Sequence, residues 1–205
     1  MNQKDLINQI GQIRSLMEKS SKFMSISGLS GVLIGSYALI GAAVAYIMLY
    51  GFNSQFGYRD HYVNRESIPA LLFIAFAVLI VSIGTGYYMA QQKAKKAGQS
   101  IWNPTSKALF QAMAIPLLTG GVLALILLYQ QNVGMIASTL LIFYGLSLSA
   151  ASSFSFRELR WLGVLDIVLG LLALCFPGYG IYFWAAGFGV LHIIYGLIVH
   201  QRYEK

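Results

Sequence analysis

The sequence predicts an all-α integral membrane protein: six transmembrane helices in three hairpins, preceded by an amphipathic N-terminal helix, with both termini in the cytoplasm. Three observations predict it. The chain of 205 residues is 57% hydrophobic and only 10% charged, where soluble domains run to roughly 25% charged residues, and its mean hydropathy is +0.65. Six apolar runs approach or reach the roughly 20 residues with which a helix crosses a bilayer. Twelve of the fourteen Lys and Arg residues fall on one side of the spans these runs define.

Residues 1–26 form the first unit. Leu6, Ile10, Ile13 and Met17 recur at helical spacing, with Lys4, Asp5, Arg14, Glu18 and Lys19 around them. That is the stripe of an amphipathic helix. It suits an inner-leaflet surface, where each Lys or Arg gains roughly 1 kcal/mol near anionic headgroups, or docking on the chain's own helices, or a protein partner, or a second copy of the chain.

Residues 27–205 form the transmembrane unit. The first span, Ser27–Tyr50, exceeds the length of a signal-peptide core and has no clear cleavage site after it, so it is expected to be retained. It carries Gly28, Gly31 and Gly35, and Gly31-x-x-x-Gly35 is a small-residue face that lets helices approach closely. Its use is packing within the chain or homo-oligomerisation. The second span, Ile68–Ala90, ends in the basic cluster Lys93, Lys95 and Lys96. Asn103-Pro104 then breaks the chain, Thr105 or Ser106 is placed to cap the third span, Ala108–Tyr129, and Trp102 is placed as an interfacial anchor. Pro116 predicts a kink in that span. The fourth span is Val133–Ser152, the fifth Trp161–Phe176 and the sixth Tyr179–Val199. The fifth is short, so its helix either begins among residues 154–160 or its outer turn sits inside the interface.

The charges set the orientation. The N-terminal segment, the connection holding Lys93 to Lys107, the connection holding Arg157 and Arg160, and the tail are basic, whereas the opposite side has only Arg59 and Arg65. By the positive-inside rule both termini are expected in the cytoplasm. The net charge of +7 is thereby explained by topology, and no nucleic-acid partner is expected.

Few residues offer chemistry. Cys175 is the single cysteine, expected as a buried thiol. Asp60, His61 and Glu66 in the outer loop match no metal-ligand spacing, so no metal or cofactor is expected. The absence of a P-loop, HExxH or Gly-x-Ser-x-Gly motif gives no support to an enzyme. What remains is Asp166 on the fifth span and His192 on the sixth. A charge at the bilayer centre costs about 2.5–3.5 kcal/mol on insertion scales. Both residues lie thirteen positions from Tyr179, hence at the same depth in an antiparallel hairpin. Gly163 and Gly170 flank Asp166, and Gly189 and Gly196 flank His192, placing both on close-packing faces. A buried Asp166–His192 hydrogen bond or ion pair is expected, with Tyr195 and Tyr144 as neighbours, either as a structural clamp or as a proton-responsive binding site.

The segments "IWNP", "IPLLTGG", "FYGL" and "GFGVLHIIYG" resemble a family of bacterial six-span inner-membrane proteins without an assigned activity, so the resemblance implies the fold and transfers no functional residue. Residues 165–198, with "VLGLLALCFPGYG" and "GFGVLHIIYGL", also resemble the Gly-rich hairpin repeat of the acid-resistance membrane proteins. The second hairpin departs from that repeat, turning through Gln130-Gln131-Asn132 without a proline. A weak likeness between hairpins two and three, aligning Tyr144-Gly145-Leu146 with Tyr195-Gly196-Leu197, would be a parallel repeat and not the inverted one of many transporters.

The first functional expectation is therefore a non-enzymatic, structural or regulatory membrane component meeting lipid or a protein partner through its basic cytoplasmic face. The alternative is a small transporter or proton-coupled permease using Asp166 and His192.

Overall fold

Six long helices make up the computed structural model, which describes residues 27–51, 65–98 and 100–204; no strand occurs among them. They are α1 (Gly28–Tyr50), α2 (Ile68–Lys96), α3 (Pro104–Tyr129), α4 (Val133–Phe154), α5 (Arg157–Cys175) and α6 (Gly180–Tyr203). All but α5 are long and apolar enough to cross a membrane. The 19-residue α5 carries Arg157, Glu158, Arg160 and Asp166, which lower its apolarity. The predicted N-terminal amphipathic helix and most of the outer loop, with Asp60 and His61, lie outside the described residues.

Local chemistry accounts for the helix ends. α5 begins at Arg157, among residues 154–160, which gives the short apolar run its missing turn. α3 is capped by Asn103, two or three residues before the expected Thr105 or Ser106. The Asn103 Oδ1 accepts from the Ser106 backbone N–H at 2.8 Å and the Ser106 hydroxyl accepts from the Asn103 N–H at 3.0 Å. Pro104 thereby falls at the first helical position, where its missing N–H costs nothing. α3 continues through Pro116 without a break. The turn between α5 and α6 places Gly178 at φ 94°, and the turn between α3 and α4 places Gln131 at φ 65°. Gln131 thus takes the left-handed conformation that glycine takes in the other hairpin.

Glycine faces decide which helices meet. Gly145 of α4 and Gly163 of α5 face each other so closely that a Cβ on either would lie 2.4–2.5 Å from the other's carbonyl oxygen. Gly170 of α5 packs likewise on Ser138 and Ile142 of α4. On the other side of the bundle, Gly28, Gly31 and Gly35 of α1 pack on α6 around Gly189, His192 and Gly196. The Gly31-x-x-x-Gly35 face is therefore occupied by the chain's own sixth helix. Consequently α5 lies chiefly along α4 and α6 along α1, while α2 flanks α1 and α3 flanks α4. The outward faces of α2 and α3 are apolar and exposed, with Phe73, Phe76, Ile115 and Leu118 prominent. Such faces belong against lipid tails. Cys175 is exposed at the end of α5, not buried as expected.

One end of the bundle is tied by charges. Glu204, just past α6, accepts hydrogen bonds from the Gly28 backbone N–H at the start of α1 (2.9 Å), Lys93 Nζ of α2 (2.8 Å) and the His200 ring of α6 (2.7 Å). Arg202 pairs with Glu158 of α5 at 2.7 Å, and the Tyr203 hydroxyl donates to the same carboxylate. A cluster of buried residues sits directly beneath, including Leu109, Leu148, Phe156, Leu159, Leu162, Tyr195 and Val199.

Candidate intramembrane site

The site lies where α4, α5 and α6 meet. Asp166 projects from the same face of α5 as Gly163 and Gly170, and the close approach of α4 that these glycines permit carries its side chain out of contact with the surroundings: it is fully buried. Neither carboxyl oxygen has a hydrogen-bond partner among the described residues. Oδ1 faces Gly187 of α6 so closely that a Cβ on Gly187 would lie 2.9 Å from it.

Gly187 belongs to an unusual stretch. Between Ala185 and Leu191 the helix winds as a π-helix, a form that is rare in long runs and recurs at functional sites. The sequence there, Ala-Ala-Gly-Phe-Gly-Val-Leu, supplies two glycines that relax the backbone. His192 follows at once. Its Nδ1 lies 2.9 Å from the Gly187 carbonyl oxygen and its Nε2 lies 2.9 Å from the Tyr144 hydroxyl of α4. A carbonyl only accepts, so Nδ1 carries the proton, and in the neutral ring Tyr144 donates to Nε2. The Tyr144 ring also stacks on the imidazole, with centroids 5.5 Å apart.

The expected direct Asp166–His192 bond is not formed. Both ring nitrogens are engaged elsewhere, and Asp166 faces Gly187, five residues before His192. Counting from the middle of the turn misplaced the depth. Helix α5 ends at Cys175, nine residues beyond Asp166, and α6 starts at Gly180, twelve residues before His192, so His192 lies about one turn further from the loop. The glycines flanking the two residues pack on α4 and α1, not on each other. Tyr144 belongs to the site through His192, and it is also an electrostatic neighbour of Asp166. Tyr195 sits apart, in the buried cluster toward Glu204, with its hydroxyl unpartnered among the described residues.

Two carboxylates escaped the sequence reading. Glu158 and Glu204 organise the charged end, and the signal was present: both fall among the basic residues of one face, Glu204 within reach of Lys93 and His200. No ligating group of three or more His, Cys, Asp or Glu side chains occurs among the described residues. No family model, curated protein or solved structure matches the chain.

Chemically, the arrangement offers an acid group with no bonds to break beside a polarisable chain, Tyr144 to His192 to the Gly187 carbonyl. A carboxyl that holds the fold together returns its desolvation cost as hydrogen bonds. Among the described residues, Asp166 returns none.

Proposed function

We propose that this chain is a six-span protein of the bacterial inner membrane, both termini cytoplasmic, that binds and exchanges protons at Asp166, in the manner of a small proton-coupled permease. One observation carries the reading: a fully buried carboxyl group without a hydrogen-bond partner among the described residues, beside a π-helical stretch and the Tyr144–His192 couple. Ionisable side chains within membrane segments are expensive and mark proton relays and substrate paths. A structural clamp explains Tyr144 and His192, whose groups are satisfied, but not Asp166. Taking up a proton removes the charge that the apolar surroundings penalise; giving it up restores a site that attracts the next one.

Reconstituted into liposomes with an entrapped pH-sensitive dye and an imposed pH gradient, the protein is expected to dissipate the gradient, and Asp166→Asn to fall to the rate of empty liposomes. Equal rates for wild type and Asp166→Asn would defeat the proposal.

A second reading rests on a separate observation. Lys95, Lys96, Lys107 and Trp102 are exposed around the connection between α2 and α3, a basic face with an aromatic anchor suited to anionic headgroups or an acidic partner. In this reading the protein is a non-enzymatic structural or regulatory component. Absence of gradient dissipation, together with loss of an anionic-lipid preference in Lys95→Gln/Lys96→Gln, would favour it.

A further inference from the structure

Asp166 lies between the two ends of the bundle, and the Glu204 end is tied by charged groups. Toward Glu204 the helices are closed twice. The outer closure is the set of ion pairs: Glu204 joins the first residue of α1, Lys93 of α2 and His200 of α6, while Arg202 and Tyr203 hold Glu158 of α5. Lys93 also lies over the Phe156 ring, which in turn packs on Tyr203 with centroids 4.4 Å apart. The inner closure is the layer of Leu159, Leu162, Tyr195, Val199, Leu148 and Leu109. Asp166 lies eight positions after Glu158, roughly 12 Å along the helix, and this layer fills that interval. Toward the other end, the residues of α6 from Gly180 to Ala186 are all partly exposed, while Ser138 and Thr139 of α4 and Gly170 and Ala173 of α5 stay buried.

We propose that the Glu204 latch and the apolar layer beneath it are a gate: Asp166 exchanges its proton with the Glu204 end of the bundle only when the latch parts. This rests on the reading of Asp166 as the proton site. The last turn of α6 carries the latch and its middle carries His192 and the π-helical stretch, so displacement of one helix couples the two. The contact α6 must slide past is the glycine face of α1, where Gly28 and Gly31 meet Gly196 without side chains between them.

The test uses the full chain in lipid nanodiscs, with Cys175→Ser as background. Leu162→Cys reports on the apolar layer and Ala42→Cys, buried in the other half of α1, on the rest of the core. With a water-soluble thiol reagent, Leu162→Cys is expected to label slowly, and at least tenfold faster once Glu204→Ala opens the latch, while Ala42→Cys keeps its rate. Lys93→Gln, which opens the latch from the α2 side, is expected to act in the same direction and serves if Glu204→Ala does not fold. An unchanged rate at Leu162→Cys, or an equal acceleration at Ala42→Cys, would overturn the gate, the latter by showing that the ion pairs simply hold the whole fold. Labelling does not pass through Asp166, so failure of the gate is told apart from failure of the proton site, which the Asp166→Asn flux reads.

Discussion

Replacing Asp166 by leucine should make the protein more stable and silence it. Aspartate and leucine side chains have the same branching and the same number of heavy atoms, so in Asp166→Leu two methyl groups would stand where two unpartnered oxygens now sit. A buried polar group without a partner costs about 1–3 kcal/mol, and both carboxyl oxygens are in that state. Methyl groups are larger than oxygens, and fitting them beside Leu141 and the bare Gly187 Cα takes back part of the gain. A net stabilisation of about 1–2 kcal/mol is expected, measured by unfolding wild type and variant reversibly in bicelles with increasing sodium dodecyl sulfate. Proton flux in liposomes should vanish in the same variant. A loss of stability of about 1 kcal/mol or more would refute the reasoning, because it would mean that Asp166 makes bonds that hold the helices together.

Three other perturbations probe the surroundings. Tyr144→Phe and His192→Gln should be non-additive by about 0.6–1.7 kcal/mol, the range of interhelical hydrogen bonds in membranes, in a double-mutant cycle read from the same unfolding curves. Gly163→Ala would set a Cβ 2.5 Å from the Gly145 carbonyl oxygen, forcing α4 and α5 apart and costing about 1–3 kcal/mol, whereas Gly121→Ala, with nothing within 4 Å, should be neutral or slightly stabilising. Burial alone would raise the Glu204 carboxyl, but its hydrogen bonds from His200, Lys93 and the Gly28 N–H outweigh it and hold the group down at about 2, below its ordinary value of 4.5. Because the folded value is the depressed one, the latch contributes fully above pH 4.5 and its contribution is lost as pH falls from 4.5 through about 2. The stability difference between wild type and Glu204→Ala, at most about 3 kcal/mol and less after screening, should therefore shrink across that window in pH-dependent melting.

Much of this architecture was legible in the chain. Apolar run length located the helices to within a few residues, because a single apolar segment crossing a bilayer satisfies its own backbone hydrogen bonds only as a helix. The glycine spacings on α1, α5 and α6 correctly marked close-packing faces. They did not say which face meets which, and the hairpin partner turned out not to be the closest neighbour: α5 went to α4 and α6 to α1. Asp166, His192 and Tyr144 were recognisable as polar groups in apolar runs. Their pairing was not, since it depends on where the turn ends and on a π-helical stretch that shifts the register of His192, and neither follows from counting α-helical residues. The cap was expected at Thr105 or Ser106 and falls at Asn103 because Pro104 prefers the first helical position over a place before the cap. The Glu204 latch was missed because a charge near a terminus reads as solvated until three helix ends converge on it.

The central claim is that Asp166 exchanges a proton within the bundle, and difference infrared spectroscopy of the protein in lipid tests it most directly. A carboxylic acid band that appears and disappears as the external pH is stepped, and that is absent from Asp166→Asn, is the predicted result. A wild-type spectrum indistinguishable from that of Asp166→Asn at every pH would contradict it.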